Sequence, residues 1–266
     1  MIDALGYTFM QHAIAVSVLA SIACGIIGTL VTVNRMSALA GSIAHASFGG
    51  LGLAYLIGIH PLIGATGFAI GSAIVIGAAQ KKSDTTMAAL WATGMAAGLV
   101  FIKISGTYSA DLMSWLFGSL LAVSGSDILF VGILDVLILL VIAGLYKEFL
   151  AVSYDQEYSR LQGVPTGFIR GLFLVLAALT AVMLMKVTGL IMVIAMLTVP
   201  AAIAEMFTLS LRKMMVLASI LAALFSLGGL FLAWILDLPP GAVIILLTAI
   251  AYFMSISIEK IMSKQS

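Results

Sequence analysis

Three side chains in this sequence could do chemistry that their surroundings do not invite. His45, Asp135 and Glu205 each sit in or beside a run of apolar residues. An imidazole nitrogen and a carboxylate oxygen are donors that zinc takes; manganese accepts harder, more oxygen-rich sets. An ionisable group deep in an apolar segment is costly and is a functional candidate by default. A plain structural role stands against that for each. The histidine can be glue between helices, the aspartate a paired group inside a bundle, and the glutamate an interfacial residue. One histidine is not a site, so further ligands would come from another helix, a second copy of the chain, or water. His60, beside Pro61, either meets arriving metal or is an ordinary loop histidine. The fifteen methionines are scattered through apolar runs, which fits core filling better than a soft copper path.

Other chemistries lack their residues. The sequence has no Walker-type phosphate loop, no H-E-x-x-H, no G-x-S-x-G and no CxxC pair. Nothing pairs a nucleophile with a base, so the chain reads as no enzyme and as having no permanently bound cofactor. Energy for uphill transport would come from a partner or an ion gradient. The single cysteine, Cys24, lies in an apolar run and builds no disulfide framework. A net charge of +1 implies no nucleic-acid partner.

The elements that must position these residues are membrane helices. Of 266 residues, 63% are hydrophobic and 9% charged. Soluble domains carry about 25% charged residues, and the mean hydropathy here is +1.24. The segment MIDALGYTFMQH lacks a basic leader and carries Asp3, so the run after it reads as a retained span. About nine spans are expected, near 13–33, 38–58, 61–79, 86–104, 127–146, 169–187, 189–208, 213–236 and 240–258. The piece from Leu112 to Val123, with Asp111 at its start, is too short to cross and reads as a re-entrant or interfacial helix. Ser126 or Asp127 is a plausible cap for the span after it. The fold class is therefore all-α, one polytopic domain over residues 1–266.

Ten of the twelve Lys and Arg fall on alternate breaks: Arg35; Lys81 and Lys82; Lys147, Arg160 and Arg170; Arg212 and Lys213; Lys260 and Lys264. Positive charge stays inside. The N-terminus is thus expected outside and the C-terminus in the cytoplasm, with membrane lipid around the spans. Lys103 and Lys186 lie on the other side, near span ends, where they can snorkel. The longest polar break, about 147–169, holds SYDQEYSRLQGVP. Ser153 with Gln156 forms a possible capping box, Gly163 a C-terminal cap and Pro165 a stop. On a helix from Asp155 to Leu161, the spacing of Tyr154, Tyr158 and Leu161 would give one face.

The stretch from Arg35 to Gly58, RMSALAGSIAHASFGGLGLAYLIG, organises the rest. On a helix, Gly41, His45, Gly49, Gly52 and Leu56 fall on one stripe. Its glycines leave room for another backbone to approach, so His45 is expected at a close helix contact.

This stretch resembles the signature of the ABC-3 family, the permeases of zinc, manganese and iron ABC importers, which runs roughly R-M-x-x-x-G-D-x-x-S-H-A. Arg35, Met36, His45 and Ala46 match, and the family's aspartate falls on Gly41. DLMSWLFGSLLAVS, from Asp111 to Ser124, is similar to a second family block, and TVPAA, from Thr198 to Ala202, to a third. The resemblance implies a permease working by alternating access, with divalent metal as transported substrate. It implies a homodimer, cytoplasmic ATP-binding subunits and an external metal-binding protein as partners, in the cytoplasmic membrane. His45, Asp135 and Glu205 become candidate path residues. Tyr154, Asp155, Tyr158, Leu161 and Gly163 become candidates for coupling to the ATPase. The alternative is an ion-coupled secondary metal carrier, although no clear inverted repeat is visible.

Overall fold

The computed structural model describes residues 6–79, 82–106, 115–118 and 120–262. Among them, nine helices are long and apolar enough to cross a membrane. In chain order they are α1 (Thr8–Val33), α2 (Ala38–Ile57), α3 (Pro61–Ala79), α4 (Ser83–Ser105), α5 (Gly125–Gly144), α8 (Thr166–Thr188), α9 (Leu190–Phe207), α10 (Leu211–Leu236) and α11 (Pro240–Met262). Two short helices, α6 (Tyr146–Tyr154) and α7 (Gln156–Leu161), fill the polar break between α5 and α8. Each expected span is present, with ends shifted by a few residues. Of the expected re-entrant piece, 115–117 is helical and Leu120–Ala122 forms a 3-10 turn. Asp111 and residues 112–114 lie outside the described residues, as do Lys81 and Lys264.

Backbone chemistry sets the breaks. α2 and α4 end on Gly58 and Gly106, both in the left-handed region that glycine adopts cheaply. α3 and α11 open on Pro61 and Pro240, whose missing N–H costs nothing in a first turn. α1 stops differently: Arg35 takes a positive φ of 54°, while the Met36 N–H donates to Val31 O at 2.9 Å. A non-glycine residue in that conformation costs about 1 kcal/mol or more, so the turn leading into the His45 helix is held by its surroundings.

α1 and α2 are the inner helices. Within each, 72% of the best apolar window is buried, against 17% for α4 and α11. α1 is packed by α5, α8, α9 and α10, and α2 by α3, α4, α8 and α9. Glycines allow the closest crossings. A Cβ on Gly50 would strike the Gly64 backbone of α3, and one on Gly25 would strike Ser219 of α10. Gly28 meets the Leu197 carbonyl of α9, one turn before Pro200, so the TVPAA block begins where the backbones of α1 and α9 meet.

The expected cap of α5 needs correcting. Ser124 is the N-cap, and Asp127 is the third helical residue reaching back to it. Its Oδ2 accepts from the Ser124 N–H at 3.0 Å and from the Ser124 hydroxyl at 2.7 Å. The chain is already extended at Ser124, so the helix starts earlier than the polar cluster implied.

Candidate transport site

The stripe on α2 faces α4. A Cβ on Gly49 would lie 2.9 Å from the Gly94 carbonyl, and one on Gly52 would lie 2.6 Å from that of Gly98. Glycines thus face glycines, and the two backbones meet along a seam, which is how membrane helices gain contact without a hydrophobic drive between them. His45 sits on this seam, about a third of the way along α2. Its ring stacks on Trp91 of α4, with centroids 4.5 Å apart and planes 18° from parallel. Such a pair contributes about 0.5–1.5 kcal/mol beyond area burial. Nδ1 is buried without a hydrogen-bond partner, while the side chain as a whole is only partly buried. Nε2 is therefore the nitrogen left able to meet a ligand.

Trp91 also explains position 41. A Cβ on Gly41 would enter the indole, with Cη2 at 2.8 Å and Ile194 Cδ1 at 3.0 Å. The space that an aspartate would take at this position is filled by the tryptophan that holds the imidazole. Trp91 lies 46 residues beyond His45 in sequence, and nothing local pointed to it.

Asp135 is on α5, 3% exposed, and neither oxygen has a hydrogen-bond partner. It faces α1 near Ala23 and the buried Cys24. Glu205 is exposed in the last turn of α9. α2 and α5 form no packed pair, and no group of three or more His, Cys, Asp or Glu comes together among the described residues. The isolated chain thus offers separate donors along its length. His60 is exposed, and its Nδ1 accepts from the Leu62 N–H at 3.3 Å, a local tie at the start of α3.

At the opposite end from His60, the polar break departs from expectation in its caps. α6 runs to Tyr154, so Ser153 is inside a helix and caps nothing. Its hydroxyl instead accepts from Asn34 Nδ2 at 3.1 Å, which ties α6 to the turn that begins the His45 helix. Asp155, extended at φ −151°, is the cap of α7 and accepts from the Tyr158 N–H at 2.9 Å. A carboxylate also suits the positive end of a helix. Gly163 has φ 83°, as a left-handed stop requires. Tyr154 therefore belongs to α6, while Tyr158 and Leu161 belong to α7. All three are exposed, Leu161 at 84%. A pocket of about 200 Å³ between these helices and the bundle is lined by Arg35, Asp84, Ser153, Gln156 and Arg170.

The other end has features that the sequence did not announce. Gly118 and Gly189, both with positive φ, cross so closely that a Cβ on either would enter the other's backbone. This is why the second sequence block carries a glycine after Leu116-Phe117. His12 Nδ1 lies 3.1 Å from the Val123 carbonyl and ties α1 to the end of that block. Lys186 pairs with Asp127 and lies over Phe130, 5.9 Å from its ring centre, instead of simply reaching outward.

Comparison with known proteins agrees with this architecture over nearly the whole chain. A model of the ABC 3 transport family matches residues 6–259. An uncharacterized membrane protein of Synechocystis is 42% identical over 98% of this chain and 94% of its own length. The manganese transport system membrane protein MntC of Listeria monocytogenes is 34% identical over 94% of this chain and 90% of its own. Among solved structures, PsaBC from Streptococcus pneumoniae in complex with Fab matches with a TM-score of 0.87 at 32% identity, covering 96% of this chain and 93% of that one.

Proposed function

We infer the function from one premise: the chain belongs to the ABC 3 transport family. It is the multi-pass membrane permease of an ATP-driven importer, and its transported substrate is a divalent metal ion. Manganese, the cargo named for one relative, is the first to test. The observation that carries this reading is the family match along residues 6–259, which is shared with a relative named as a manganese transport system membrane protein. The secondary-carrier alternative gains nothing from the structure.

The path runs past His45. Nε2 is a neutral donor at a helix seam, held by Trp91, and supplies one contact to an ion that keeps part of its water. Asp135 and Glu205 are further path candidates, the first for its unpartnered oxygens and the second for its exposure at the basic end of α9. The remaining ligands come from a second copy. The outward face of α4 supports this, because beside His45 it presents Ala88, Ala92, Thr93 and Ala96, all exposed. α5, by contrast, shows Leu129, Ile133 and Leu140 outward. Small exposed residues suit a helix partner, and bulky branched ones suit lipid.

The basic end faces the cytoplasm, with the N-terminus outside. There Tyr154, Tyr158 and Leu161 dock an ATP-binding subunit, held by the Asp155 cap and the Gly163 stop. The Asn34–Ser153 hydrogen bond passes movement of α6 and α7 to the Arg35 turn and so to the His45 helix. An external binding protein delivers the ion to the opposite face. The test is reconstitution with the co-purified ATPase in vesicles: ATP-dependent manganese uptake supports the reading. Uptake driven equally by an ion gradient without the ATPase contradicts it.

A further inference from the structure

A furrow outside the transport seam remains unexplained. α5 and α10 both pack on α1 and do not pack comparably on each other. The gap between them is a cavity of about 630 Å³, floored by Ile26 of α1 and walled by Leu139, Ile142, Met215 and Ile220. That volume is in the usual range for a small-molecule site. Its floor is fixed, because the Gly25–Ser219 crossing presses α1 against α10. The outward residues beside it are bulky, Leu140 and Val216 among them, so this face meets acyl chains.

The furrow is not apolar throughout. Its basic end is closed by Tyr146 and Arg212, and Lys213 follows Arg212 in the first turn of α10. Both cations are exposed. Among the described residues neither forms an ion pair, with Glu148 of α6 or any other acid. A helix N-terminus disfavours positive charge, yet this one carries two cations and no acidic residue in its first turn. An anion at that point would offset the mismatch.

We propose that this furrow is a binding site for an anionic phospholipid of the inner leaflet, with an acyl chain between α5 and α10 and the phosphate at Arg212 and Lys213. The occupant is argued from charge. The inner leaflet carries the anionic lipids, and basic residues at its surface attract them. A mostly apolar furrow ending in cations matches a lipid with one charged end, whereas a docked apolar helix would leave those cations unanswered.

The experiment adds phosphatidylglycerol or phosphatidylcholine to the full chain in neutral detergent and counts bound lipid by native mass spectrometry. Phosphatidylglycerol should bind in preference to phosphatidylcholine. Arg212→Gln with Lys213→Gln should weaken it about 30-fold, at about 1 kcal/mol for each cation. Both residues are exposed, so their replacement leaves the packing intact. Arg212→Lys alone, which keeps the charge, should retain most of the binding. Ala143 of α5 also lines the furrow, so Ala143→Trp, which plugs it and keeps the charges, should abolish binding. Equal binding of the two lipids, or no change in the double Gln variant, overturns the proposal. Full competition by glycerol phosphate, which has no tail, overturns it as well.

Discussion

Placing the family's carboxylate back at position 41 separates the role of Trp91 from that of His45. In Gly41→Asp the new Cβ falls within the indole, whose Cη2 would be 2.8 Å away, so Trp91 must leave its place on the imidazole. Overpacking costs about 1–3 kcal/mol, and loss of the stack adds about 0.5–1.5 kcal/mol. Gly41→Asp alone should therefore lose about 1.5–4.5 kcal/mol of stability and free the His45 ring to rotate. Gly41→Asp with Trp91→Ala removes the clash with the indole, leaves only the flexible tip of Ile194 at 3.0 Å, and places the carboxylate one helical turn from His45 on the same face. A unit charge pair at about 4 Å in a medium of effective dielectric about 20 is worth about 4 kcal/mol before desolvation. Even a net gain of about 1.4 kcal/mol would tighten metal binding about tenfold. Thermal unfolding of each variant in detergent, followed by manganese titration, reads both quantities. Unfolding of Gly41→Asp alone at the wild-type temperature would refute the clash with Trp91, and metal binding by the double variant no tighter than wild type would refute a ligand role for the restored carboxylate.

Gly118→Ala and Gly189→Ala should each abolish recovery of folded protein in size-exclusion chromatography, since each adds a Cβ inside a backbone crossing at positive φ. Gly67→Ala, with open space around it, should gain about 1 kcal/mol instead. Asp155→Ala should cost about 1 kcal/mol at the α7 cap and reduce stimulation of the ATPase, while Asp155→Asn keeps most of both; equal stimulation by all three proteins would separate α7 from coupling. For sidedness, single cysteines at Leu209 and Ser126 in a Cys24→Ser background should label from opposite faces, the first from the cytoplasm, because both positions are exposed at opposite ends of the spans.

Much of the fold was legible because membrane helices are written as long apolar runs with breaks of proline, glycine and charge. The stripe through Gly41, His45, Gly49 and Gly52 was legible for the same reason: steps of three and four residues fix which side chains share a helix face. What that face meets was not legible. Trp91, Gly94 and Gly98 lie on another helix, and no local pattern links them to His45. The Gly118–Gly189 crossing is likewise set by tertiary approach, and each glycine alone reads as an ordinary turn. The capping box at Ser153 failed because α6 continues through it, so a good cap residue was already inside a helix. Asp155, next but one, had the stronger acceptor and the extended backbone.

The metal path stands or falls on whether the His45 nitrogen touches the transported ion. His45→Phe tests it most directly, since phenylalanine keeps a ring against Trp91 and removes only the donor. In vesicles holding the chain with its ATPase, at matched protein levels, manganese uptake should fall at least about tenfold, with basal ATP hydrolysis and assembly unchanged. Uptake at the wild-type rate would make the histidine a packing residue and move the path to Asp135.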